Sequence, residues 1–329
     1  MDDKRIGVLE NYDLEVLRTY KGRGALICET DQGLKILREY TGRESRVDFQ
    51  DRLLSRIRLA GITDVDSYVR NKENQILSTD KMNHTYILKD CYEGPECNIC
   101  HPDEIKEAAG NLARLHRAMT CPEEEGIEEM VIHSIKNEFQ KHTRELRKVM
   151  NYMRRRSCKS EFELYFAKYF DTFYSEAEEV LELTRTWDEP CFQDTIRKKG
   201  QICHGEYTYH NIIMSGQNIA TINFEKFQLD TPVYDLYQFI RKVLEKNDWA
   251  VAMGKLVLET YEKINPLSEE ERQNLFFRLA YPEKFWKMAN HYYNSNKAWI
   301  PEKNIEKLRK IVEQNSAKHF FLEQYVIDY

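Results

Sequence analysis

One stretch constrains this chain more than any other. It runs Cys203-His204-Gly205-Glu206-Tyr207-Thr208-Tyr209-His210-Asn211 and is followed by Ile222-Asn223-Phe224-Glu225. It reads as strand, turn, strand: Ile202 and Cys203 lead in, polar residues fill the turn, and Ile212, Ile213 and Met214 lead out. Ser215-Gly216-Gln217-Asn218 predicts a hairpin turn with a glycine where positive φ is easy. Residues 219–224 then alternate as a strand should. An acid, an amide five residues on, and a second short polar side chain across a hairpin form a layout suited to phosphoryl transfer. The carboxylate accepts the proton of the attacking hydroxyl, and the other two positions hold Mg²⁺ against the phosphates.

Composition narrows the classes. With 329 residues, 41% of them hydrophobic and 32% charged, the chain can build one large or two modest domains. A net charge of −6 gives no electrostatic case for a nucleic-acid partner. No apolar run reaches the length of a membrane span, and Met1-Asp2-Asp3-Lys4-Arg5 leads into no signal-type apolar stretch. The expectation is a soluble cytoplasmic protein without membrane insertion. Eight cysteines are scattered along the chain and read mostly as buried thiols. Cys97-Asn98-Ile99-Cys100-His101 matches the haem-attachment pattern, but that reading needs export, and a zinc site would need a second pair of ligands. The favoured reading is an ordinary connector.

Read in order, the early chain is strand-rich. Lys21-Gly22-Arg23-Gly24 and Asp31-Gln32-Gly33 separate three strand segments, a meander ending at Arg38. Residues 42–60 have helical periodicity. Residues 62–69, 75–78 and 86–90 carry short strand signals, and Cys91-Tyr92-Glu93-Gly94-Pro95 reads as a hinge. Pro102 opens a helix through Met119. Residues 133–156 form a long basic amphipathic helix whose charged face is either solvated or docks an acidic partner or an anionic surface. Residues 161–183 form a second long helix, and 185–200 read as a connector. Helices follow over 235–244, 251–264, 268–280, 282–294 and 301–314, with a capping box at Ser268 and Glu271. Trp286, Tyr292, Tyr293 and Trp299 either pack or line a cleft.

These motifs resemble a known group. His-Gly-Glu-x-x-x-x-Asn is similar to the His-Gly-Asp-x-x-x-x-Asn loop of the aminoglycoside phosphotransferase and choline kinase superfamily. Ile222-Asn223-Phe224-Glu225 resembles its Ile-Asp-Phe-Asp metal strand, and Thr231-Pro232-Val233-Tyr234-Asp235-Leu236 its P-x-x-D-L helix start. Leu112-Ala113-Arg114-Leu115-His116 resembles its Leu-Ala-x-Leu-His helix, where the histidine is structural. The finer resemblance is to the spore-coat branch, the CotS family, over about residues 12–300. It implies an α+β, bilobal protein kinase-like fold: a β-rich lobe over residues 1–92, and a helical lobe over 93–329 carrying the catalytic-loop segment 202–226. The implied cofactors are ATP and Mg²⁺ if the site is active, none if it is not. The implied partners are a small-molecule acceptor or spore-coat proteins, with localisation in the cytoplasm or the spore coat.

Carried over residue by residue, the resemblance puts Glu206 at the base, Asn211 and Asn223 at the metal, and Asp235 in the role of bracing the loop to which His204 belongs. Glu225 offers a further metal carboxylate. Gly22 and Gly24 would lie over the nucleotide phosphates. Arg38 takes the place of the phosphate-binding lysine, with Glu44 or Asp48 as its partner. Lys35 is three residues away and so on the opposite strand face. Three departures matter: Glu206 and Asn223 each replace Asp, and Arg38 replaces Lys. Asn223 removes one negative charge from a site where Mg²⁺ normally has one or two carboxylates. Together they favour a pseudokinase or weak phosphotransferase; the alternative is an active ATP-dependent small-molecule kinase.

Overall fold

The computed structural model describes residues 3–22, 24–215, 218–294 and 301–328. Helix α1 (Asp3–Leu9) precedes the meander of β1 (Val16–Gly22), β2 (Ala25–Thr30) and β3 (Gly33–Glu39). Then come α2 (Glu44–Leu59), β4 (Leu77–Thr79) and β5 (Thr85–Asp90). The strands make one antiparallel sheet in the order β1-β2-β3-β5-β4. Alternation divides its two faces. Leu26, Cys28, Leu37, Tyr86 and Leu88 pack on Val8, Leu9 and Tyr12, while Ala25, Ile27 and Ile36 lie on the other face. In this register Ile36 is opposite Lys89 and Arg38 is opposite Ile87. Arg38 and Lys89 therefore project from that second face. Lys35 projects from the first, and its ammonium pairs with Asp90 at 2.6 Å.

The rest of the chain is mostly helical: α3 (Pro102–Ala118), α4 (Ile135–Arg155), α5 (Glu161–Leu183) and α6 (Glu189–Lys199) come first. Four short strands follow, β6 (Ile202–Cys203), β7 (Ile212–Ser215), β8 (Asn218–Thr221) and β9 (Gln228–Leu229). They pair as β6 with β9 and β7 with β8. The chain continues through α7 (Val233–Lys246), α8 (Val251–Glu262), α9 (Glu269–Ala280), α10 (Glu283–Asn294), α11 (Pro301–Glu313) and α12 (Asn315–Asp328). The main core joins Phe49 and Leu53 of α2 to Leu112 of α3, Phe239 of α7 and Leu258 of α8. A second core packs Leu146, Phe166, Phe285 and Leu308 between α4, α5, α10 and α11. The bilobal α+β expectation is borne out. Among the described residues, no helix is long and apolar enough to cross a membrane.

Four local expectations need correction. Residues 62–69 form no strand; they make single bridges, Val65 to Thr221 and Tyr68 to Lys89. Their backbone groups bond Thr221 and Asp90 instead, tying the sheet to the β7–β8 hairpin. Residues 189–199 are helical rather than a connector. Asp188 caps that helix by accepting from the Cys191 amide, a proline opens it, and Gly200 closes it at φ +59°. β8 stops at Thr221, because Asn223 adopts φ +67° and residues 224–226 make a 3-10 turn. Helix α12 extends the fold past the last helix expected. Gly216, Gln217 and Trp299 lie outside the described residues.

Candidate active site

The loop after β6 is held from below. Asp235, fully buried in the first turn of α7, accepts from the His204 amide (2.6 Å) and the Gly205 amide (2.9 Å). His116 of α3 lies 3.1 Å from the same carboxylate and is itself held by the Tyr261 hydroxyl at 2.7 Å. The His204 ring faces the Ile222 carbonyl at 3.0 Å through Nε2. A carbonyl can only accept, so Nε2 carries the proton. Nδ1 is then the acceptor for the Glu206 amide at 3.1 Å. Gly205 sits at φ +84°, and a Cβ there would collide with the Lys226 carbonyl. Only glycine lets the loop pass.

The base and metal positions come together above this brace, and each is already engaged. Asn211 donates through Nδ2 to the Glu206 carbonyl at 2.9 Å, which turns its Oδ1 outward. Arg38 has only donors and approaches Asn223 Oδ1 at 3.2 Å. That fixes the Asn223 amide with Nδ2 toward Asn211 Oδ1, at 2.8 Å. Glu206 Oε1 takes the Lys226 ammonium at 2.7 Å. Glu225 Oε1 takes Lys89 at 2.5 Å and lies 4.0 Å from Arg38. Glu225 does not follow Asn223 along one strand face, as an extended backbone would place it. The 3-10 turn swings it toward the sheet.

Lys89 and Asp66 complete the cluster. Lys89 is 1% exposed and Asp66 2%, and they pair at 2.9 Å. Asp66 Oδ2 also accepts from the amides of Asn223 (2.8 Å) and Phe224 (3.1 Å). This anchors the residue whose left-handed backbone redirects the metal strand. Burial alone would lower the pKa of Lys89, but Asp66 and Glu225 outweigh it and hold the ammonium above its ordinary value. Glu225 is held below the usual carboxylate range: burial opposes this, and Lys89 and then Arg38 prevail.

A family model described as "Spore coat putative kinase YutH" matches residues 6–325. The chain belongs to that family. A curated relative, spore coat protein S of Bacillus subtilis (strain 168), is 21% identical over 311 residues, covering 92% of this chain and 87% of that protein. Among solved structures, an aminoglycoside phosphotransferase from Alicyclobacillus acidocaldarius superposes with a TM-score of 0.88 at 18% identity, covering 98% of this chain and 95% of that one. A spectinomycin phosphotransferase solved with ADP and spectinomycin gives 0.64 at 12% identity, covering 96% and 97%. An amicoumacin kinase solved with AMP-PNP and Ca²⁺ gives 0.58 at 10% identity, covering 95% and 93%. These likenesses establish the kinase-type fold.

In this YutH-family chain the donor set does not fit a Mg²⁺ ion as it stands. The fitting groups would be Asn211 Oδ1, Asn223 Oδ1 and a Glu225 oxygen, and a side-chain N–H or ammonium points at each. Arg38 meets neither of its expected partners. Glu44 is exposed at the start of α2 and lines a separate depression with Asn71 and Ser78, and Arg38 reaches instead to Asn223 and Glu225. Gly22 closes β1 opposite Ala25, and Gly24 follows at φ +75°. Cys97 is buried with its thiol against the Glu104 carbonyl, whereas Cys100 is exposed. Reasoning from sequence missed Lys89, Asp66 and Lys226. Lys89 was the findable one: a lysine ending the apolar run Tyr86-Ile87-Leu88, on a sheet face that Ile36 shows to be buried.

Proposed function

We propose that this chain is a spore-coat pseudokinase, which keeps the kinase fold but loads its metal site with its own cations. One observation carries the reading: each of the four side chains suited to metal or base chemistry, Glu206, Asn211, Asn223 and Glu225, has an oxygen that takes an internal donor from Lys226, Asn223, Arg38 or Lys89. A Mg²⁺ ion entering here must displace an ammonium paired in a buried setting and overcome the repulsion of Arg38 and Lys89. The lysines and arginine supply the positive charge that a metal supplies in working kinases, and they tie the sheet to the loop. Assembly with other spore-coat proteins fits such a scaffold better than turnover of a small-molecule acceptor does.

The test is thermal shift with ATP, with and without Mg²⁺, followed by an ATP hydrolysis assay. The native chain should show no Mg²⁺-dependent stabilisation and no turnover. The triple variant Lys89→Met, Asn223→Asp, Glu206→Asp should gain Mg²⁺-dependent nucleotide binding. Native protein that binds Mg²⁺-ATP at micromolar concentration and hydrolyses it would establish instead an active ATP-dependent kinase.

A further inference from the structure

A second cluster lies away from the loop, where α4 meets the start of α10. Glu138 and His142 are four residues apart on α4 and so share one helical face. Glu283 is the first residue of α10. One ligand atom from each of the three lies within 4.8 Å of the others. His142 is only 6% exposed, and its Nδ1 has no hydrogen-bond partner. That nitrogen lies 3.4 Å from Glu283 Oε2 without completing a bond to it. A buried imidazole nitrogen whose nearest polar group is a carboxylate at this long distance is poorly satisfied.

The surroundings hold the ring for a ligand. His142 stacks on Trp286, with ring centroids 3.3 Å apart and planes 16° from parallel. The Trp286 indole is in turn fixed by its N–H to Glu145 Oε2 at 2.8 Å. Glu138 and Glu283 are both half-buried and face an open pocket of ≈ 350 Å³ that Tyr234 and Gln238 also line. Of the three cations that line this pocket, two have partners outside the site. Arg241 pairs with Glu245 at 2.7 Å, and Arg278 donates to Asn274 at 2.8 Å. Lys287 sits 3.0 Å from Glu283, but on Oε1, leaving Oε2 toward His142.

We infer that Glu138, His142 and Glu283 form a binding site for a divalent transition-metal ion, best suited to Zn²⁺. An imidazole nitrogen and carboxylate oxygens are both ligands that Zn²⁺ takes, and three of them with an open side toward a solvent pocket leave a fourth position free. The imidazole and the small number of ligands disfavour Ca²⁺ and Mg²⁺, which take more ligands, nearly all of them oxygen. The inference does not rest on the pseudokinase reading, because none of these residues touches the 202–226 loop's charge cluster. The free position faces the pocket lined by Gln238, whose side chain donates to the Gly205 carbonyl at 3.0 Å. An occupied site would thus present a Lewis acid or an anion anchor next to the loop.

The test is titration of chelator-stripped protein with Zn²⁺ alone and with Mg²⁺ alone, followed by calorimetry and by tryptophan fluorescence, to which Trp286 should contribute. A single equivalent of Zn²⁺ should bind and raise the melting temperature, and Mg²⁺ should not. Glu138→Gln and Glu283→Gln, which leave the buried ring in place, should each weaken Zn²⁺ by roughly tenfold or more, because losing a ligand should cost at least as much as losing the group that supports one. Co²⁺ in place of Zn²⁺ should give a visible spectrum without thiolate charge-transfer bands, and Cys100→Ser should leave binding unchanged. Absence of saturable Zn²⁺ binding would overturn the inference. So would affinity that survives both glutamate changes, or a cobalt spectrum dominated by thiolate.

Discussion

The two sides of the loop are built on different principles. Beneath it, Asp235, His116 and Tyr261 form a buried chain in which one carboxylate satisfies two backbone amides and a ring nitrogen. Above it, Arg38, Lys89 and Lys226 meet Asp66, Glu206 and Glu225, three cations against three acids, bridged by two amides that bond each other. The lower side carries Asp235 where the sequence resemblance puts a brace; the upper side keeps Asn211 but departs from the resemblance at Glu206, Asn223 and Arg38. The contrast teaches that loop shape and loop chemistry are held by separate groups. The brace contains no cation, so the loop can keep its shape whatever occupies the side above it.

The sharpest way to break this contrast is to cut the brace. Asp235→Ala leaves two buried amides and His116 without their acceptor, and should cost about 3–5 kcal/mol, the scale for breaking a buried charged network. Urea denaturation measures it; an unchanged midpoint would mean the brace does not hold the loop. Next comes Lys89→Met on the upper side. It should cost less, about 2–3 kcal/mol, because Asp66 keeps its two amide donors and Glu225 keeps Arg38 nearby. Mg²⁺ with ATP should then recover part of that stability, whereas it should do nothing for the native chain. Equal stabilisation of native and variant in a thermal-shift titration would erase the distinction between the two sides.

The fold was legible because periodicity and motif agreed. The meander and the α3 helix opened by Pro102 both follow from local patterns that tertiary packing then preserved. The loop residues were legible for the same reason: His204, Glu206, Asn211 and Asp235 lie at fixed spacing in one segment. What remained hidden depends on contacts distant in sequence. Lys89 meets Glu225 across 136 residues and Asp66 meets Asn223 across 157, and no local pattern encodes such pairs. The direction of Glu225 was not legible either, because the strand expected over residues 219–224 stops at Thr221. Asn tolerates the left-handed backbone better than most residues, and that possibility ends the alternation. Helix α6 was hidden for a simpler reason: Asp188, Pro190 and Gly200 are sound cap signals, but its interior has few apolar positions.

Acid should move the two sides in opposite directions. Asp230, on the brace side and 2% exposed, has its carboxyl pushed up to about 6 by burial, against the pull of Arg278 and the Thr231 amide. A folded-state value above the ordinary one means this contribution to stability is full below about pH 4 and is lost as pH rises through about 6. Glu225 is shifted down, so its contribution is present above the usual carboxylate range and is lost as pH falls through its folded value. The Asp230 effect should be of order 3 kcal/mol. Asp230→Asn should flatten the stability profile between pH 4 and 6, read as melting temperature against pH. A variant profile parallel to the native one would show that Asp230 does not titrate in this window.

The smallest stability effect belongs to Lys226, and its value lies in that smallness. The Lys226–Glu206 pair is 2.7 Å long, but its side chains are 63% and 40% exposed. An exposed pair of this kind contributes less than about 1 kcal/mol. Lys226→Ala should therefore leave the denaturation midpoint almost unchanged while freeing the Glu206 carboxylate. If the block to chemistry lies on the metal side, freeing the base alone should give no ATP hydrolysis, because Arg38 and Lys89 still face Asn223 and Glu225. Added to the triple variant Lys89→Met, Asn223→Asp, Glu206→Asp, it should raise turnover. A positioned base contributes roughly 10²–10⁴-fold only when its lone pair can reach the reacting hydroxyl. Hydrolysis by Lys226→Ala alone would put the block at the base, and the division between a sound brace and a substituted metal site would no longer describe this molecule.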